Sequence, residues 1–220
     1  MSNFRAMIDR IADELDDGGI EEQIKREINS AIRQYSTKRL FLTERSFTFT
    51  TVANQPDYDI DDAADIDTFL EVQDSYVTVG GIRYPMTPID YPTLSASQNG
   101  IITSERPTNW AFFARAFWLF PIPTGAAVVT ISGHCRFAVL SGDTDTNAWM
   151  TDGEELIRAR AKRRLAANVT KDLDEAQSAG AQEIEALDAL ERETRLRRGR
   201  RVLRVDPALM APQPYNIQTG

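Results

Sequence analysis

The sequence contains one cysteine, Cys135, and one histidine, His134, among 220 residues. A lone cysteine makes no intrachain disulfide, and nothing here argues for an oxidising compartment. A lone histidine, with no second histidine and no cysteine pair, is at odds with the common zinc sites. No run of about 18 apolar residues is present, so no membrane-spanning helix is expected. The start, MSNFRAMIDRIADELDD, has no apolar segment and carries acids early, so it does not read as a secretory signal. GxxxxGK(S/T), a GxGxxG following a strand, and GxSxG are all missing, and with them the usual phosphate-binding and nucleophile-elbow signatures. Basic residues are in the minority, 25 against 33 acids, for a formal charge of -8. Affinity for duplex DNA comes mainly from Lys and Arg, so a general duplex binder is disfavoured.

Apolar and charged fractions of 42% and 26% are those of an ordinary globular chain, and the length suits one sizeable domain or two small ones. The stretch 106–140, RPTNWAFFARAFWLFPIPTGAAVVTISGHCRFAVL, predicts three short strands at 109–114, 117–120 and 127–139. Two of the three tryptophans lie here, which places the main core here. In the last strand Val129, Ile131, Gly133, Cys135 and Phe137 alternate with Thr130, Ser132, His134 and Arg136, the period of a half-buried strand. Cys135 then falls on the apolar face as a small hydrophobe and His134 on the polar face beside Arg136. Neighbouring strand residues diverge, so the two are poorly placed for a thiolate pair.

Helical patterns flank this stretch. Met7, Ile8, Ile11 and Leu15 mark a helix over 4–16, and Ile20, Ile24, Ile28, Ala31, Ile32 and Tyr35 mark another over 20–39. Ser46 to Thr51 alternates as a strand. A strand at 69–79 and a return at 82–86 flank the turn signal Gly80-Gly81. The segment 87–103 reads as an irregular loop, with a short helical turn at 91–97. The aspartates of 57–67 resemble a calcium loop only loosely, because the central glycine and final glutamate are missing, and a solvated acidic loop is the expectation. Thr151-Asp152-Gly153-Glu154 fits a capping box. Beyond it, Ile157, Ala161, Leu165, Val169, Leu173, Ala176, Gly180, Ile184, Leu187 and Leu190 recur at steps of three and four. They predict one long helix over 152–198, straight or kinked near Gly180, roughly 70 Å long if unbroken. A hairpin turning at 178–180 is the alternative. The fold class is α+β: a helical bundle with a long C-terminal helix, an inserted antiparallel β-domain and an extended C-terminal tail. The expected divisions are N-terminal helices at 1–45, β-rich insertion at 46–140, C-terminal helix at 141–200 packing on the N-terminal helices, and tail at 201–220, too proline-broken to build a core.

The order of elements, with IEEQIKREINSAIRQYSTKRLF, SFTFTT, QPDYDI and the RPTNWAF…FWLFPIPTGAAVVTISGHCRF run, resembles the head-to-tail adaptor (gatekeeper or connector) proteins of tailed bacteriophages. Pro107, Trp110, Phe120, Pro121, Pro123 and the strand 128–137 carry the match, which covers nearly the whole chain in order of elements. The resemblance implies a structural virion protein and not an enzyme, with no catalytic residues, cofactor, metal or membrane partner. It implies a homo-oligomeric ring of about twelve copies in the neck, made in the host cytoplasm and placed below the portal protein and above tail or nozzle proteins. Genomic DNA would pass through its lumen without sequence-specific binding. The basic run RLRRGRR at 195–201 and the tail would then meet the portal, through Arg195, Arg197, Arg198, Arg200, Arg201, Leu203, Arg204, Leu209 and Tyr215. A nucleic-acid-binding accessory protein using the same basic helix end is the alternative. A hydrolase built on Asp or Glu of the β-insertion is a third reading, for which no carboxylate pair can be placed.

Overall fold

A computed structural model describes residues 3–198 except 64, 99 and 101. Helix α1 is Phe4–Glu14 and α2 is Glu21–Tyr35. A short α3, Tyr91–Ser97, lies among the strands; α4 is Ala148–Thr151, α5 is Glu154–Leu165 and α6 is Leu173–Arg197. The Asn3 side chain opens α1 by accepting the Ala6 N–H at 2.8 Å, satisfying one of the donors a helix start leaves unpaired. The expected stripe of α2 is buried: Ile24, Ile28, Ala31, Ile32 and Tyr35. These residues meet Met7, Ile8 and Ile11 of α1, Trp149 and Met150 of α4, and Ile157, Ala161 and Leu165 of α5 in one apolar core.

The C-terminal third is a helical hairpin and not one rod. It turns about seven residues before the place where the sequence suggested a hairpin. After α5 a five-residue π turn, Ala166–Thr170, leads to Lys171 in the left-handed region (φ 59°), and Asp172 starts α6 by accepting the Glu175 N–H at 3.0 Å. Gly180, the expected turning point, lies inside α6 against the side chain of Arg163. The burial of α6 is also rotated from the expected stripe. Ala179, Glu183, Ala186, Leu190 and Thr194 face inward, whereas Leu173 and Ile184 are exposed. The capping box is not formed. Thr151 is the last residue of α4, and Gly153 precedes α5 without a side-chain cap. The cap that forms is Asn147, whose Oδ1 accepts the Trp149 and Met150 N–H groups at 3.0 and 3.2 Å. Asn147→Ala is therefore expected to cost about 1 kcal/mol, read as a lower urea midpoint with an unchanged slope. An unchanged midpoint would contradict the assignment.

Among the described residues ten strands form the other half. In order they are β1 Glu44–Thr50, β2 Asp57–Tyr58, β3 Phe69–Val79, β4 Ile82–Pro85, β5 Thr87–Pro88, β6 Thr103–Ser104, β7 Asn109–Phe113, β8 Ala116–Phe120, β9 Ile122–Pro123 and β10 Val128–Cys135. One sheet has the order β1-β10-β3-β4 and is antiparallel throughout. A second has the order β2-β8-β7-β5, and β6 pairs with β9 alone. Gly80 and Gly81 supply the two positive φ values, 58° and 80°, that the β3–β4 turn requires. The turn between β7 and β8 reaches the same geometry with Ala114 and Arg115.

The strands of 106–140 therefore do not sit together. β7 and β8 belong to the second sheet and β10 is an inner strand of the first, because the segment after β8 carries the chain from one sheet to the other. The aromatic stretch still supplies much of the β core. Trp110 stacks on Phe117 at 5.1 Å, and Phe117 meets Phe49 edge-on at 5.9 Å. Val77, Val129, Ile131 and Cys135 come from the first sheet. This core is one of two, however, and the third tryptophan, Trp149, is fully buried in the helical one. The acidic loop also holds apolar anchors: Ala63 and Ile66 are buried in the β core.

Candidate functional site

The side chains that organise this molecule lie where helices meet one another and where the helical part meets the β part. Helix α5 carries a run of five basic residues, Arg158, Arg160, Lys162, Arg163 and Arg164, and each has an acidic partner on a different helix. Glu14 of α1 takes Arg158 and Lys162, and Lys162 also reaches Glu175 of α6 at 2.5 Å. Arg164 meets Glu27 of α2 at 3.4 Å. Arg160 and Arg163 converge on Glu183 of α6 at 3.1 and 2.9 Å, where the Tyr35 hydroxyl also donates to the Glu183 carboxylate. Burial works against the Glu183 charge, but the Tyr35 hydroxyl and the two guanidinium groups outweigh it and hold the carboxyl below its ordinary range. Burial and the same carboxylate push Tyr35 well up.

The end of α6 is tied to the junction with the β part. Arg198 binds Glu44 of β1 at 2.5 Å and donates to the Arg39 carbonyl at 3.3 Å. Arg197 pairs with Glu193 at 2.6 Å and lies over the Phe41 ring at 3.8 Å. Arg39 meets Glu71 of β3 at 2.7 Å. His134 is buried here, not on an open polar face, because the turn before β1 covers it. Thr43 donates to the Leu40 carbonyl at 2.7 Å, and its hydroxyl lies 2.8 Å from His134 Nδ1. Burial lowers the His134 pKa, so the ring is neutral at pH 7. Burial pushes the Cys135 thiol up to about 11, which keeps it protonated. Among the described residues no group of three His, Cys, Asp or Glu is arranged to hold a metal ion. No described helix is long and apolar enough to cross a membrane.

Of the nine residues assigned to portal contact, the structure places three. Arg197 and Arg198 are engaged in the pairs above, and Arg195 is largely exposed, only 4.0 Å from Glu191. Arg200, Arg201, Leu203, Arg204, Leu209 and Tyr215 lie outside the described residues. Sequence reasoning missed the α5 run. Its signal was present in IRARAKRR, five bases in eight residues followed by the acids of DLDEA, but it was absorbed into the apolar periodicity.

The described residues form a small α+β body whose charged groups pair between its helices and at the junction with its strands. The family model described as SU10 adaptor protein matches residues 2–206. The chain belongs to that family and is a bacteriophage adaptor protein. No curated protein matches it.

Proposed function

We propose that this adaptor forms a ring in the virion neck, below the portal, which extends the DNA channel and presents a docking surface to the tail. The family match over residues 2–206 carries the reading. The net charge of -8 supports it, since a lumen that passes DNA must not grip phosphates. The tail 202–220, with Arg204, Leu203, Leu209 and Tyr215, is the portal-binding segment, preceded by the basic end of α6. The nucleic-acid reading is weaker, because Arg197 and Arg198, two of the arginines it relies on, have internal acidic partners. Deleting 202–220 is expected to abolish co-purification with the portal while leaving the thermal transition of the body in place. Portal binding unchanged by the deletion would overturn the assignment of the tail.

A further inference from the structure

Helix α5 packs between α2 and α6, so the helical part has two flanks. On the α6 side, in the crevice between α5 and α6 with Glu14 of α1 at its edge, lies a groove of ≈ 450 Å³ lined by Ala186, Ala189, Glu155 and Glu185 together with Arg158, Lys162 and Gln182. A neighbouring depression of ≈ 360 Å³ shares Glu155, Ala186 and Ala189, and extends the groove past Asp152. Glu14, at the groove wall, is neutralised by Arg158 and Lys162. Glu155 and Glu185 are exposed and make no ion pair among the described residues.

The other flank is its counterpart in charge. Asn29 of α2 makes two hydrogen bonds, each 2.9 Å, to the backbone of Leu140. At about 100° per residue, Asn29 lies at least about 100° around α2 from Glu27, Ser30 and Gln34, the residues that bond α5. The segment held by Asn29 therefore lies away from α5. It carries Val139, 61% exposed, which lines a small depression together with Arg33 and Arg136. Both arginines are exposed, and neither makes an ion pair among the described residues. One flank thus offers an exposed valine with two arginines beside it, and the other a hollow lined by two alanines and two glutamates, none of the four charges being ion-paired among the described residues.

We propose that these flanks dock onto each other between copies of this chain, Val139 of one copy entering the Ala186–Ala189 hollow of the next, with Arg33 and Arg136 facing Glu155 and Glu185. The inference rests on the ring reading and names its contact surfaces. Because two different patches meet, the contact is heterologous and repeats in one sense around a closed ring. The charges set register and partner sense more than strength, and the Asn29 bonds hold the backbone next to Val139 in place before contact.

The test is native mass spectrometry of the full chain, alone and with portal protein from the same source, on three variants. One is E155R/E185R, the second R33E/R136E, and the third carries all four changes. Each double variant alone is expected to lose the ring species. An equimolar mixture of the two is expected to restore rings in which they alternate, since every contact is then complementary. The fourfold variant is expected to assemble by itself, which also shows that the substitutions leave folding intact. Rings that persist in the double variants, or losses that neither mixing nor the fourfold variant restores, would overturn the docking while leaving the adaptor reading in place. A wild-type chain that forms no ring, alone or with portal, would overturn both.

Discussion

Glu183→Ala is expected to lower stability by about 3 kcal/mol, the scale for breaking a buried ion pair by removing one partner. Glu183 is 5% exposed and is the only acidic partner of Arg160 and Arg163 among the described residues, as well as the acceptor for Tyr35. Its removal leaves the Arg160 guanidinium, whose side chain is 18% exposed, without its counter-charge and with Gln34 Oε1 as its remaining acceptor, and leaves the Tyr35 hydroxyl without its acceptor. For a chain of this size the loss corresponds to a fall in melting temperature of roughly 6–12 °C. Ile184→Ala, one residue along and 64% exposed, is expected to change stability by less than about 0.5 kcal/mol. The folded Glu183 carboxyl lies below the ordinary value of 4.5. Its contribution is thus fully present above pH 4.5 and is lost as pH falls through the depressed folded value. The gap between the denaturation midpoints of wild type and variant should narrow as the pH is taken down from 7 into the acid range. Equal stability at pH 7 would show that the network contributes nothing net.

Gly133→Ala is expected to be as damaging, at about 3 kcal/mol, the upper part of the range for forcing atoms into a packed site. Gly133 lies on β10, an inner strand, where the register against β3 shifts between Ser132 and Gly133. A Cβ there would stand 2.1 Å from the Glu71 carbonyl oxygen and 3.0 Å from the Val72 Cα. Both are backbone atoms held in the sheet, so relief requires strand separation rather than a rotamer change. Gly125→Ala meets nothing within 4 Å and serves as the control. Urea denaturation followed by tryptophan fluorescence reads both, and a Gly133→Ala midpoint equal to that of Gly125→Ala would contradict the close approach.

The longer strands and the N-terminal helices were legible because each carries one dominant period, whereas the two-residue strands β2, β5 and β6 fall in segments that read as loop and are too short to carry one. Strand β3 and helix α3 fall at the residues their patterns marked, and α2 buries its predicted stripe. The C-terminal hairpin was masked because two signals disagreed. Apolar spacing through Val169 and Leu173 argued for continuity, yet both residues are exposed. The charges told the truth: bases at 162–164 close one helix and Asp172, Asp174 and Glu175 open the next, each favourable to the local helix dipole. Asp172 and Glu175 also have the spacing of a helix start, whereas the Thr151–Glu154 match failed because α4 already occupied Thr151. The burial of His134 was not legible, since the cover comes from Thr43, 91 residues away. The flanks were not legible either, because Val139 and Arg33, 106 residues apart, come together only in the fold.

The most direct test of the adaptor assignment is native mass spectrometry of the wild-type chain, alone and then with intact portal from the same source. A ring-sized multiple, formed alone or only with portal, is the expected result and gives the stoichiometry. A monomer in both samples would contradict it.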